Sequence, residues 1–220
     1  MNIHHHLDDA TALAYAAGTV TEALSLVIAA HVELCPQCQM RILAAEEVGG
    51  GVFDGLPAAP LADSSLDRVW TRIQAGDEPT ATAPAPRRGP AHTGVPRVLE
   101  PFLPDGLDGI RWRSLAPGIR HYPLQGVESG QGTARLLSIA PGITIPRHSH
   151  EGTELTLVLR GSYSDEIGRF RAGDLADLDS SIDHQPIADA AEPCICLIAT
   201  DARLRFSDLW SRMMQPLIGM

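Results

Sequence analysis

The chain has 220 residues, 44% of them hydrophobic, and a net charge of −10, enough length and apolar content for one large or two small domains with cores of their own. No apolar run approaches the roughly 18 residues of a membrane span, and no charged-then-apolar signal segment opens the sequence, so the expected location is the cytoplasm. The acidic balance argues against direct binding to nucleic acid, and four cysteines in a cytoplasmic chain point to metal or redox chemistry rather than a disulfide framework.

Asp8 or Asp9 can cap a first helix that runs to Gly18. Thr21 and Glu22 open a second, whose apolar stripe of Leu24, Leu26, Val27, Ile28 and Val32 carries it past His31 to about Leu34. Pro36 suits the first position of a third helix, expected to end near Val48 at Gly49-Gly50-Gly51. Ser64 to Gln74 predicts a fourth, with Leu66, Val69, Trp70 and Ile73 at helical spacing. Residues 1–78 hold eleven acids against three arginines, a balance of −8. Such a surface attracts a basic protein, although it also serves plain solubility.

The joint between the second and third helices concentrates chemistry. His31, Cys35 and Cys38, at spacings of four and three, can meet on one side of a helical turn as imidazole and thiolate zinc donors. Cys35 and Cys38 fall at a helix N-terminus, where free amides and the dipole favour thiolate. Closed zinc sites have four ligands, so a fourth must come from elsewhere. His4, His5 and His6 are the strong candidates in the first ninety residues, and a solvated terminus explains them as well.

From Gly76 the composition shifts to Pro, Ala, Thr and Gly, which reads as an extended linker. The expected organisation is residues 1–78 as a small helical domain, 79–94 as linker, and 95–220 as a second domain with a C-terminal tail. In the second domain, short apolar runs separated by Gly, Pro and Asp turns predict an all-β structure, among them 135–140, 155–159, 170–178 and 194–199. His148 and His150, two apart on a strand, face the same way, and Glu154 can return a carboxylate to the same point. His184 completes a shell of three histidines and one carboxylate, suited to zinc and also to iron or manganese. Cys194 and Cys196 share one side of a strand, where an oxidant-responsive pair and two small buried hydrophobes are both open readings.

These motifs carry a specific resemblance. Gly142, His148, His150, Glu154 and Gly161 match the first cupin motif at every spacing, and Gly173 and His184 match the second, with Asp179 and Ser181 standing where its proline and glycine fall. His31-x3-Cys35-x2-Cys38, with His5-His6, Asp9, Tyr15-Ala16-Ala17-Gly18 and Ser25-Leu26-Val27, resembles the ChrR-type zinc-binding anti-sigma factors, which join such a domain to a C-terminal cupin. The resemblance implies an α + β chain in two domains, a four-helix zinc-binding anti-sigma module followed by an all-β jelly-roll cupin. It implies zinc on His6, His31, Cys35 and Cys38, and a second metal on His148, His150, Glu154 and His184. It also implies inhibition of an extracytoplasmic-function sigma factor, with release under singlet oxygen or organic hydroperoxide stress. The competing expectation is a metal-dependent cupin dioxygenase or isomerase with a regulatory helical domain, which would need substrate-positioning groups near the metal. Tyr163, Arg147 and His121 are the candidates by sequence.

Overall fold

The computed structural model of the chain describes residues 2–76, 95–127, 132–202 and 204–206. The linker expected at 79–94 lies wholly outside the described residues, as the C-terminal tail does beyond 206.

Four helices come first. α1 (Asp9–Ala16) is capped by Asp8, whose carboxylate accepts from Thr11 N at 2.6 Å. α2 (Glu22–Leu34) is capped by Thr21. α3 (Pro36–Asp54) begins directly after its cap Cys35, whose sulfur accepts from Cys38 N at 3.5 Å. α4 spans Ser65–Gln74. The expected stop at Gly49 is overturned: α3 runs through all three glycines to Asp54. Glycine weakens a helix interior by about 1 kcal/mol relative to alanine, but it ends the helix only where the backbone turns left-handed. Gly49, Gly50 and Gly51 are not among the glycines of positive φ.

Strands follow: β1 (Arg113–Ala116), β2 (Ile119–Pro123), β3 (Thr133–Ile139), β4 (His148–His150), β5 (Glu154–Arg160), β6 (Ser162–Ser164), β7 (Arg169–Arg171), β8 (Leu175–Leu178), β9 (Asp183–His184), β10 (Ile187–Ala188), β11 (Cys194–Thr200) and β12 (Leu204–Phe206). The run expected over 170–178 is two strands, because Gly173 at φ 96° reverses the chain between β7 and β8. A six-stranded antiparallel sheet orders as β1-β2-β3-β11-β5-β8, and two three-stranded sheets, β10-β6-β7 and β12-β4-β9, complete the cupin-like structure.

Two apolar layers organise the packing, and they separate by strand parity. Val158, Leu137, Cys194 and Cys196 point into the barrel with Tyr163 and Phe170. Leu136, Leu155, Leu157, Leu159, Leu175, Ile195 and Leu197 point the other way and join one core with Leu24, Val27 and Ile28 of α2. α2 lies across β5 and β11, which is why β5 is buried on both faces along nearly its whole length. The carboxylate of Glu33, near the end of α2, accepts from Arg97 N at 2.7 Å and Val98 N at 2.9 Å, fixing a 3-10 turn at Arg97–Leu99 to the helix. Nothing in the hydrophobic pattern foretold that the helical and β parts share a core.

Candidate metal centres

The first centre sits where α2 meets α3. His31 ends the buried stripe of α2, and Pro36 restarts the chain one residue after Cys35, so both cysteines turn back toward His31. His6 arrives on the extended segment before α1. One donor atom from each of His6, His31, Cys35 and Cys38 lies within 4.8 Å of the others. His6 Nδ1 is 3.2 Å from Cys35 Sγ and 3.7 Å from Cys38 Sγ, and His31 Nε2 is 3.2 Å from Cys38 Sγ. Nitrogen and sulfur bound tetrahedrally to one zinc would be separated by about 3.6 Å, given metal bonds near 2.1 and 2.3 Å. The donors therefore stand close to the spacing zinc requires. His31 Nδ1 donates to the carbonyl of Gly173 at 3.1 Å, which leaves Nε2 with its lone pair toward the cysteines. Of the three N-terminal histidines, His4 bonds Asn2, His5 packs against Phe170, and His6 lies in the cluster.

Electrostatics here differ from the expectation that the helix N-terminus favours thiolate. Burial pushes Cys38 up to about 11, and it pushes His31 down to about 4. Desolvation outweighs the dipole because both groups are sealed from water. A divalent cation is the charge that would reverse the cost, by drawing the thiols into thiolates.

The second centre lies inside the barrel, and it forms because β4 pairs with β9, setting His148 opposite His184. Glu154 begins β5, and donor atoms of His148, His150, Glu154 and His184 again lie within 4.8 Å of one another. His150 Nε2 is 3.4 Å from His184 Nε2, which is about the edge of a tetrahedron of nitrogens at 2.1 Å from one metal. His150 Nδ1 is buried without a hydrogen bond, 3.3 Å from the Glu154 carboxylate. Burial lowers His148 to about 4 and His150 to about 3, and raises Glu154 to about 7. Three imidazoles, two of them held neutral by burial, and a buried carboxyl group without a counter-charge are the donor set that a borderline cation stabilises. The surrounding groups fix their orientation. His148 Nδ1 donates to Pro146 O at 2.8 Å, His184 Nδ1 to the fully buried carboxylate of Asp165 at 2.8 Å, and Thr156 Oγ1 donates to Glu154 at 3.1 Å.

Asp165 and Thr156 were missed by sequence reasoning. Asp165 reads as an ordinary turn residue, and it does accept from Ile167 N and Gly168 N, so its second role toward His184 is invisible without the fold. The altered second motif is a working turn, since Asp179 accepts from Ser181 N at 2.8 Å. A cavity of about 70 Å³ opens on this centre, lined by His148, Glu154 and His184 and by apolar groups including Leu137, Ile139 and Ile198. Of the three positioning candidates for an enzyme, Tyr163 lines the cavity, Arg147 pairs with Glu166, and His121 is not among the lining residues. Cys194 and Cys196 are buried with sulfurs 3.4 Å apart, and the hydrogen bond between them, with burial, holds the Cys196 thiol well above its ordinary range.

The chain joins a helical module with a two-histidine, two-cysteine cluster to a cupin-type barrel with its own three-histidine, one-carboxylate shell. Residues 106–203 match the ChrR cupin-like domain. Over 216 residues, 98% of this chain and of the relative, the chain is 41% identical to the anti-sigma-E factor ChrR of Cereibacter sphaeroides. It also matches the crystal structure of Rhodobacter sphaeroides SigE in complex with the anti-sigma ChrR, with TM-score 0.74 and 40% identity over 91% of this chain and 100% of that one. The chain belongs to the ChrR family of anti-sigma factors, regulators rather than enzymes.

Proposed function

We propose that this chain binds an extracytoplasmic-function sigma factor in the cytoplasm and holds it inactive, with residues 1–78 as the binding domain and residues 95–220 as the domain that governs release. The observation that carries this reading is the apolar face of α4. Leu66, Val69, Trp70 and Ile73 repeat at helical spacing, are all more than half exposed, and leave α4 without a buried residue. On α3, Met40, Val48, Val52 and Phe53 are exposed as well. Apolar stripes of this extent, on an acidic module, suit a partner with a basic surface and apolar anchors of its own. The family supplies the partner class, since the related ChrR was crystallised with SigE.

In this reading zinc sits on His6, His31, Cys35 and Cys38 and keeps α2, α3 and the N-terminal segment in binding-ready arrangement, which lowers the entropy lost on association. A second ion, zinc or else iron or manganese, sits on His148, His150, Glu154 and His184 and takes part in sensing singlet oxygen or organic hydroperoxide. Co-expression with the sigma factors of the source organism, followed by co-purification and metal analysis, tests it. The expected outcome is a one-to-one complex with two metal ions per chain, falling to one ion and a weakened complex in Cys38→Ser. Capture of no sigma factor by the metal-loaded chain would refute the proposal.

A further inference from the structure

We infer that Asp174, a residue of the barrel, is a positioning residue for the metal centre of the helical module. The inference rests on the zinc reading above. Three of that centre's four ligands lie on α2, on α3 or at the cap between them, but His6 lies on an arm before α1 that has no helical hydrogen bonds of its own. The backbone partners of His4 and His5 on this arm come from the barrel. Asp174 Oδ1 accepts from His4 N at 2.6 Å and His5 N at 3.2 Å, while its Oδ2 accepts from Arg171 N at 2.9 Å. Leu175 N donates to His5 O at 3.2 Å, so the arm is bracketed on both sides of the residue preceding His6. The carboxylate is only 1% exposed, and a buried acceptor with three backbone donors is a rigid anchor.

The adjoining residue acts on a second ligand, for Gly173 O receives the His31 Nδ1 proton. One turn of the barrel thus orients two of the four donors. That turn also adjoins the barrel interior: the His5 ring lies 4.1 Å from Phe170, which stacks at 4.9 Å on Tyr163 of the cavity wall. An arm released from Asp174 keeps fewer anchors, among them Arg41 on Leu7 O and Leu175 N on His5 O, so more of its ordering cost falls on the metal. The cupin therefore contributes to retention of the helical module's metal.

Cobalt substitution of the full chain gives a readout confined to this centre, since thiolate-to-cobalt charge transfer arises only where cysteine is a ligand. Competition against a chelator then measures affinity. Asp174→Ala should weaken cobalt binding at the cysteine site about 10- to 100-fold, the usual effect of losing an outer partner, with the second ion retained. Asp174→Asn, which keeps an acceptor for the arm, should recover most of the loss. His4→Pro, which deletes the strongest arm donor without touching the barrel, should also weaken binding. Affinities within twofold of wild type in both Asp174→Ala and His4→Pro would overturn the inference. So would loss of both ions in Asp174→Ala with no change in His4→Pro, which would mark Asp174 as a barrel-folding residue only. A wild-type chain without the charge-transfer band would instead overturn the zinc reading, and this inference with it.

Discussion

At His31 and Cys38 the local signal and the folded environment pull in opposite directions. Spacing alone brought these residues together with Cys35 in the sequence, and the residue types named the chemistry. What spacing could not convey is that burial would raise the Cys38 thiol and lower His31, since desolvation depends on what packs over the site. Asp177 is a similar case at the surface between helices and barrel. It accepts from Asp8 N at 3.1 Å and Thr11 Oγ1 at 3.2 Å. Burial raises its carboxyl above the ordinary 3.8, with repulsion from Asp8 and Asp179 adding to the shift and the two hydrogen bonds opposing it. A folded pKa above the unfolded one means the native chain holds the extra proton. Its contribution is then complete below pH 3.8 and is lost as pH rises through the raised value. Asp177→Asn never ionises, so its stability relative to wild type should climb as pH rises from about 4. Denaturant unfolding of the pair at stepped pH checks this, and a pH-independent difference would contradict it.

Helices α1, α2 and α4 were legible because caps and stripes agree with one another: Asp8, Thr21 and the Leu66–Ile73 spacing each mark what the structure contains. α3 was misjudged at its end because glycine is a weak local term against a helix of 19 residues. That error yields a test. A Cβ added at Gly50 meets nothing within 4 Å, and the position is helical. Gly50→Ala should therefore stabilise the chain by about 0.5–1 kcal/mol, measured by denaturant midpoint. No gain would mean that the helix ends earlier, as the sequence alone suggests. Among the strands, β4 and β5 were legible from the His148-x-His150-x3-Glu154 spacing. The break between β7 and β8 was not, since Gly173 stands in an otherwise strand-like run and its reversal appears only in the backbone.

The whole molecule is more tightly joined than its composition suggests. A proline-rich segment reads as a tether between independent bodies, yet Val27 and Ile28 of α2 share a core with Leu155, Leu157 and Leu197 of the sheet. The sequence hides this because a strand buried on both faces and a strand in a solvent-exposed sheet differ only by a few leucines at alternate positions. Leu157, fully buried on the helix-facing side, tests the union. Leu157→Ala should cost about 2–5 kcal/mol and lower the helical and β signals in one transition. Separate transitions would mean that the two parts unfold independently. In the proposed function the apolar stripe of the helical module masks a sigma factor. The most direct measurement is calorimetric titration of the metal-loaded full chain, wild type and Trp70→Asp, against its co-purified sigma factor. One-to-one binding is expected, weakened at least tenfold by Trp70→Asp with the melting temperature kept within a few degrees, because Trp70 is 54% exposed in the free chain. Equal affinities for the two chains would contradict it.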